Sequence, residues 1–163
     1  MNYTPKDGFP YYFNLTGNID LKSLFDSSKT IEFLNSIEEE KAKYRYASGK
    51  WSIKQVVGHI TDHERIKMQR AFLTSRSIPT QLWGYNQEML VNNSRFDELT
   101  FQHLINDYQN VRKASISFID GLSERQLNIK GMANEHEIIL KDFLISIVGH
   151  EMHHINILKE KYL

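Results

Sequence analysis

The stretch GHEMHHINIL at residues 149–158 places His150, His153 and His154, with Glu151, inside five positions of a chain that has only seven histidines. On a helix advancing about 100° per residue, with Ile147 as origin, Leu140, Phe143, Leu144 and Leu158 fall within roughly 60° and mark a buried stripe. His154 lands about 20° from Ile147 and His150 about 60° away on the same side, whereas His153 sits about 120° away, at the stripe's edge. Glu151 also falls within the inner arc. Burying an imidazole without partners costs a few kcal/mol, so a pair stacked one turn apart needs a shared reason to be there. A metal ion supplies one, because positions i and i+4 let two imidazoles reach one ion. Separate bonds to a nearby carboxylate or backbone group supply another, and the spacing alone leaves both readings open.

A second such arrangement lies upstream. GHITDHE, residues 58–64, sets His59 and His63 four apart with Asp62 and Glu64 beside them. Inward-facing histidines on two helices could surround one ion in the middle of a bundle. With Val56 as origin, His63 lies nearer the apolar face than His59, so periodicity selects His63 as the ligand of that pair. The chain has no cysteine. Disulfides, thiolate ligands and a cysteine nucleophile are therefore excluded, and any metal must rest on imidazole, carboxylate and water.

The elements that must carry these groups read as helices. Pro5, Pro10 and Pro79 are the only prolines, which leaves the second half of the chain without a helix breaker. Apolar residues from Leu21 to Ile37 recur near a 3.6-residue period and predict a first helix from about Asp20 to Glu40, with Asp20 as N-cap and Glu38, Glu39 and Glu40 as a solvated run. Ser52 followed by Gln55 predicts a capped second helix to about Ser75. Residues 76–94 show no sustained period and read as a long loop with one short helical turn. A third helix is expected from about Phe96 or Thr100 to Ile119, then a polar loop SERQLNIKGMANEHE, then a fourth helix from about Ile138 to Lys161. Four long helices without a repeat or an alternating strand pattern predict an all-α, four-helix bundle.

Composition bounds the rest. At 163 residues the expectation is a single domain over 1–163, large enough for its own core. Lysine plus arginine equals aspartate plus glutamate at 20 each, so no net positive field favours nucleic acid. No apolar run approaches the roughly 20 residues that cross a bilayer, and no basic segment followed by an apolar one opens the chain. A cytoplasmic protein without a membrane or nucleic-acid partner is expected. Nor does a G-x-S-x-G elbow support serine catalysis.

YRYASGKWSIKQVVGHITDHERI near residues 44–66, together with VGHEMHHINILKEKYL at the C-terminus, resembles the DinB / YfiT-like superfamily of metal-dependent four-helix bundles. GYNQEML and DYQNVRKASISFIDGL also fit that pattern, so the resemblance spans nearly the whole chain. It implies a metal triad of His59, His150 and His154, and so differs from periodicity in choosing His59 over His63. A divalent ion such as Zn or Ni held by three neutral imidazoles keeps an open position, where water or a low-molecular-weight thiol can be activated. Hydrolysis and thiol S-transfer, with bacillithiol, mycothiol or glutathione as thiol, are the two chemistries that the resemblance implies. Glu64, His63 and Glu151 are the candidate bases. Asp62, Glu64 and Glu151 are candidates to orient a ligand histidine. Lys54, Arg65 and Arg70 could bind an anionic small-molecule substrate, and Trp51, Trp83 and Tyr85 could line the mouth of the site. A homodimer fits the fold type. The competing class is a non-catalytic helical binding or stress-response module with a structural metal or none.

Overall fold

The computed structural model describes residues 3–17, 19–78, 84–133 and 136–163. A turn at Pro5–Asp7 precedes α1 (Phe9–Leu15), which the sequence reading left unassigned. α2 (Leu21–Phe25), α3 (Ser28–Asn35) and α4 (Glu39–Ala42) follow, then α5 (Ile53–Ser75), α6 (Gln87–Asn92), α7 (Phe101–Asp120) and α8 (Glu124–Leu127). Strands β1 (Lys130–Ala133) and β2 (His136–Ile139) form an antiparallel hairpin, and α9 (Leu140–Ile157) continues into a wide π-helical turn over Leu158–Tyr162.

The long helices begin where their caps put them. The Ser52 hydroxyl accepts from Gln55 N, and the Gln55 amide oxygen accepts from Ser52 N in return, closing a capping box at the head of α5. Thr100 caps α7 by accepting from His103 N. Two stretches differ from expectation. Asp20 does cap, taking Lys22 N and Ser23 N, but the helix stops after one turn. Asp26 turns extended at ψ 108° and its carboxylate takes Ser28 N, which starts a new helix instead. The Ser36 hydroxyl likewise binds the Phe33 carbonyl and ends α3. Glu38, Glu39 and Glu40 are exposed as expected, but Glu39 also has partners: its carboxylate accepts from Phe101 N at 2.6 Å and pairs with the buried Lys54 at 2.5 Å. The second difference is residues 123–137, which carry α8 and the hairpin rather than a plain loop.

α5, α7, α9 and the broken path α2–α4 make a four-helix bundle. Against α9 lies α1, and the approach is close because residue 149 is glycine: a Cβ there would stand 1.9 Å from the Tyr12 carbonyl oxygen. The bundle has two apolar clusters. One joins Ile53, Val56, Val57 and Ile60 of α5 to Phe101, Leu104 and Ile105 of α7 and to Ile155 and Leu158 at the end of the chain. The other joins Ala71, Ile119, the start of α9 from Leu140 to Val148, and α2. Between them the buried residues turn polar: His59, Thr61, His63 and Glu64 on α5, Arg112 and Ser115 on α7, His150 and Glu151 on α9. This polar layer positions the candidate site. Among the described residues no helix is long and apolar enough to cross a membrane.

Candidate metal centre

α5 and α9 face each other across the polar layer, each presenting a Gly-His step. Gly58 leaves room for the Phe96 ring and Gly149 for the backbone of α1, so both following histidines sit deep in the bundle, His59 at 2 % and His150 at 4 % exposure. The His150 Nε2 lies 3.1 Å from His59 Nε2 and 3.2 Å from His154 Nε2. These three residues each offer a ligand atom, all within 4.8 Å of one another, and among the described residues they are the one group of three or more potential ligand side chains that could hold an ion.

An imidazole nitrogen carries one proton or one lone pair, and so makes one good hydrogen bond rather than two. His150 Nε2 therefore cannot satisfy both neighbours. Burial keeps the rings neutral. It pushes the His59 pKa down to about 4 and that of His154 to about 2, the latter with help from His59 and His153. His150 is driven well below its ordinary value by the same desolvation and by His63, His154 and His59. Three neutral imidazoles thus converge with no acid among them. Ligands held 2.0–2.1 Å from a tetrahedral ion stand about 3.3 Å apart, close to the two separations from His150 Nε2, so the donor set fits a divalent metal. The buried Nδ1 of His150 has no partner among the described residues.

His63 is brought to the site in another role. Its ring stacks on His150 at 3.6 Å between centroids and 10° between planes, and its Nδ1 lies 2.5 Å from the Tyr85 hydroxyl. Burial and the nearby charge of Lys67 hold it neutral. Burial also pushes the Tyr85 phenol up to about 12. Trp51 covers the opposite side, its indole 4.8 Å from the His59 ring and its Nε1 donating to Glu88 at 3.1 Å. A pocket of about 180 Å³ bounded by Trp51, Tyr46, Glu88 and Tyr162 opens onto His154. His153 sits at the edge, with Nδ1 3.1 Å from the Tyr11 hydroxyl.

The carboxylates go elsewhere. Glu64 receives Arg112 Nε at 3.1 Å and Nη2 at 2.7 Å, and Glu151 receives Arg112 Nη2 as well as the Thr30 hydroxyl at 2.7 Å. Among the described residues neither bonds a histidine, because the buried guanidinium between them offers a stronger, charge-assisted bond. Asp62 is likewise taken by Arg65, which also binds Asp107 at 2.5 Å. Lys54 is buried and donates to the Leu99 carbonyl at 2.6 Å besides pairing with Glu39, so it is not available to a substrate. Trp83 lies outside the described residues.

A model of the DinB superfamily matches residues 26–158. The chain belongs to the DinB superfamily. Among solved structures it is similar to YfiT from Bacillus subtilis, described as a probable metal-dependent hydrolase with an unusual four-helix bundle topology. The two share 16% identity at a TM-score of 0.70, over 98% of this chain and 89% of that one. No curated protein matches. Within this DinB fold the sequence reading missed Arg112 as a site element, although it sits four residues after Tyr108 and seven before Ile119, on the inner face of α7.

Proposed function

We propose that this protein is a metal-dependent hydrolase in which His59, His150 and His154 hold a divalent ion, Zn or Ni. The observation that carries the reading is the convergence of three neutral imidazoles, His59 and His150 buried and His154 partly buried, whose Nε2 atoms cannot all satisfy one another. Such an ion, when bound, supplies Lewis acidity, lowering the pKa of water or of a thiol reaching its open position. His63 acts as the general base. We assign the tautomer in which Nδ1–H donates to the Tyr85 oxygen 2.5 Å away, which leaves the Nε2 lone pair free to accept a proton. Trp51 and Tyr46 exclude water from the His154 side and shape the pocket for a small molecule. The hydrolase description of YfiT supports this reading, and the donor set supports it independently.

The test is to assay the Zn- and Ni-loaded protein against a panel of small esters, amides and phosphoesters, with and without a low-molecular-weight thiol. Hydrolysis that needs the metal and falls about 100-fold in His63→Asn is the expected result. Turnover only when the thiol is present would replace hydrolysis by thiol S-transfer at the same centre. No turnover by the loaded protein on any member would favour a binding module.

A further inference from the structure

His59, His63 and Lys67 follow one another at four-residue intervals on α5 and so form one ridge. The first two end at the histidine cluster. Lys67 ends in a half-buried position one turn beyond, its ammonium 5.4 Å from the centre of the Phe143 ring of α9. Among the described residues no carboxylate pairs with it. Three other cations of α5 and α7 differ in this respect: Lys54 has Glu39, Arg65 has Asp62 and Asp107, and Arg112 has Glu64 and Glu151. The charged neighbour that acts on Lys67 is another cation, Arg70, three residues along the same face and 5.8 Å from the Tyr85 ring. The Lys67 charge reaches the site, since it helps depress both His63 and His150. Burial and Arg70 together lower its own pKa to about 8, which is the response of an ammonium short of a counter-charge.

We propose that Lys67, with Arg70 beside it and His63 one turn away, forms an anion-binding subsite flanking the histidine triad, built for a carboxylate or phosphate group on the substrate. An anion there supplies the counter-charge that Lys67 lacks among the described residues and meets a neutral, aromatic wall of Phe143 and Tyr85. It also places the rest of the substrate beside the His63–His150 stack. That the bound anion belongs to a substrate rests on the metal-centre reading; that an anion binds at Lys67 does not.

Titration of the purified protein with inorganic phosphate and, separately, with acetate, at low ionic strength and before and after chelator treatment, tests this. Saturable binding is expected in both states. Lys67→Met, which keeps the apolar stem over Phe143, should weaken it at least about tenfold, and Lys67→Arg should retain it. The tighter of the two probes identifies the headgroup. No saturable binding by the wild type, or wild-type affinity in Lys67→Met, would overturn the subsite. Binding that disappears with the metal and ignores Lys67→Met would overturn it while sustaining the metal centre. Lys67-dependent binding by a protein that never takes up metal would sustain the subsite and remove the metal-centre reading instead.

Discussion

Two polar clusters share the middle layer of this bundle, and they are built on opposite principles. In one, the Arg112 guanidinium is wedged between Glu64 and Glu151, with Thr30 and the Phe25 carbonyl completing the set. Each carboxylate there meets the one guanidinium that both share. In the other, three imidazoles of the same kind point at one another and no acid answers them. Buried polar groups are costly unless satisfied, so the complementary cluster explains itself as scaffold, whereas the cluster of like groups calls for something from outside the chain. Adjacent residues serve the two roles, His63 beside Glu64 and His150 beside Glu151, so the scaffold holds the helical turns from which the imidazoles project.

The contrast breaks most sharply at Arg112. Arg112→Met leaves two carboxylates buried without their cation and should cost about 3–5 kcal/mol, read as a lower urea midpoint with an unchanged slope. In the metal-free protein His154→Leu should move the same midpoint by less than about 1.5 kcal/mol, because it removes no complementary partner. A loss as large as that of Arg112→Met would show that the imidazoles stabilise the fold by themselves.

Acidity separates the clusters next. The folded pKa of His59 lies below the unfolded value, about 4 against 6.5, so the unfolded chain takes up its proton first. Stability of the metal-free protein is therefore complete above about pH 6.5 and is lost as pH falls toward 4, by on the order of 3 kcal/mol from this residue. Denaturation midpoints at pH 7.5, 6, 5 and 4 would measure it, and a flat profile over that range would contradict the burial of neutral rings.

Gly149→Ala acts on the seam that brings α1 over His150. With a Cβ 1.9 Å from the Tyr12 carbonyl, α1 must shift, at a cost of about 1–3 kcal/mol. Limited proteolysis should then cut the first 20 residues earlier than the rest. Tyr85→Phe is the mildest change. It keeps the ring but frees the His63 tautomer, and a fall in turnover of about tenfold with unchanged metal content would sharpen the assignment of His63 as base.

How much of this was legible depended on length and on pairing. α5 and α7 were readable because Ser52, Gln55 and Thr100 announce their starts and a long apolar stripe follows. The histidines were readable because i and i+4 repeats survive translation from sequence to helix. Periodicity alone favoured His63 over His59, yet both are buried; a wheel finds a face and cannot distinguish a ring whose Nε2 meets those of its neighbours from one stacked on their side. α1 was hidden by its seven residues and by Pro10, which reads as a loop although proline suits a first helical turn. The hairpin was hidden by strands of four residues, too short to show alternation. Glu64 and Glu151 looked like partners of the neighbouring histidines because adjacency in sequence stood in for adjacency in space. Arg112, the residue that claims them, comes from a third helix.

Metal content measured by plasma mass spectrometry on untagged protein tests the central claim most directly, comparing wild type with His59→Ala, His150→Ala, His154→Ala and His63→Ala after exposure to Zn or Ni. The account predicts about one ion per chain in the wild type and in His63→Ala, and loss of it in the other three. A wild type that takes up no ion, or three triad variants that keep it, would contradict the account.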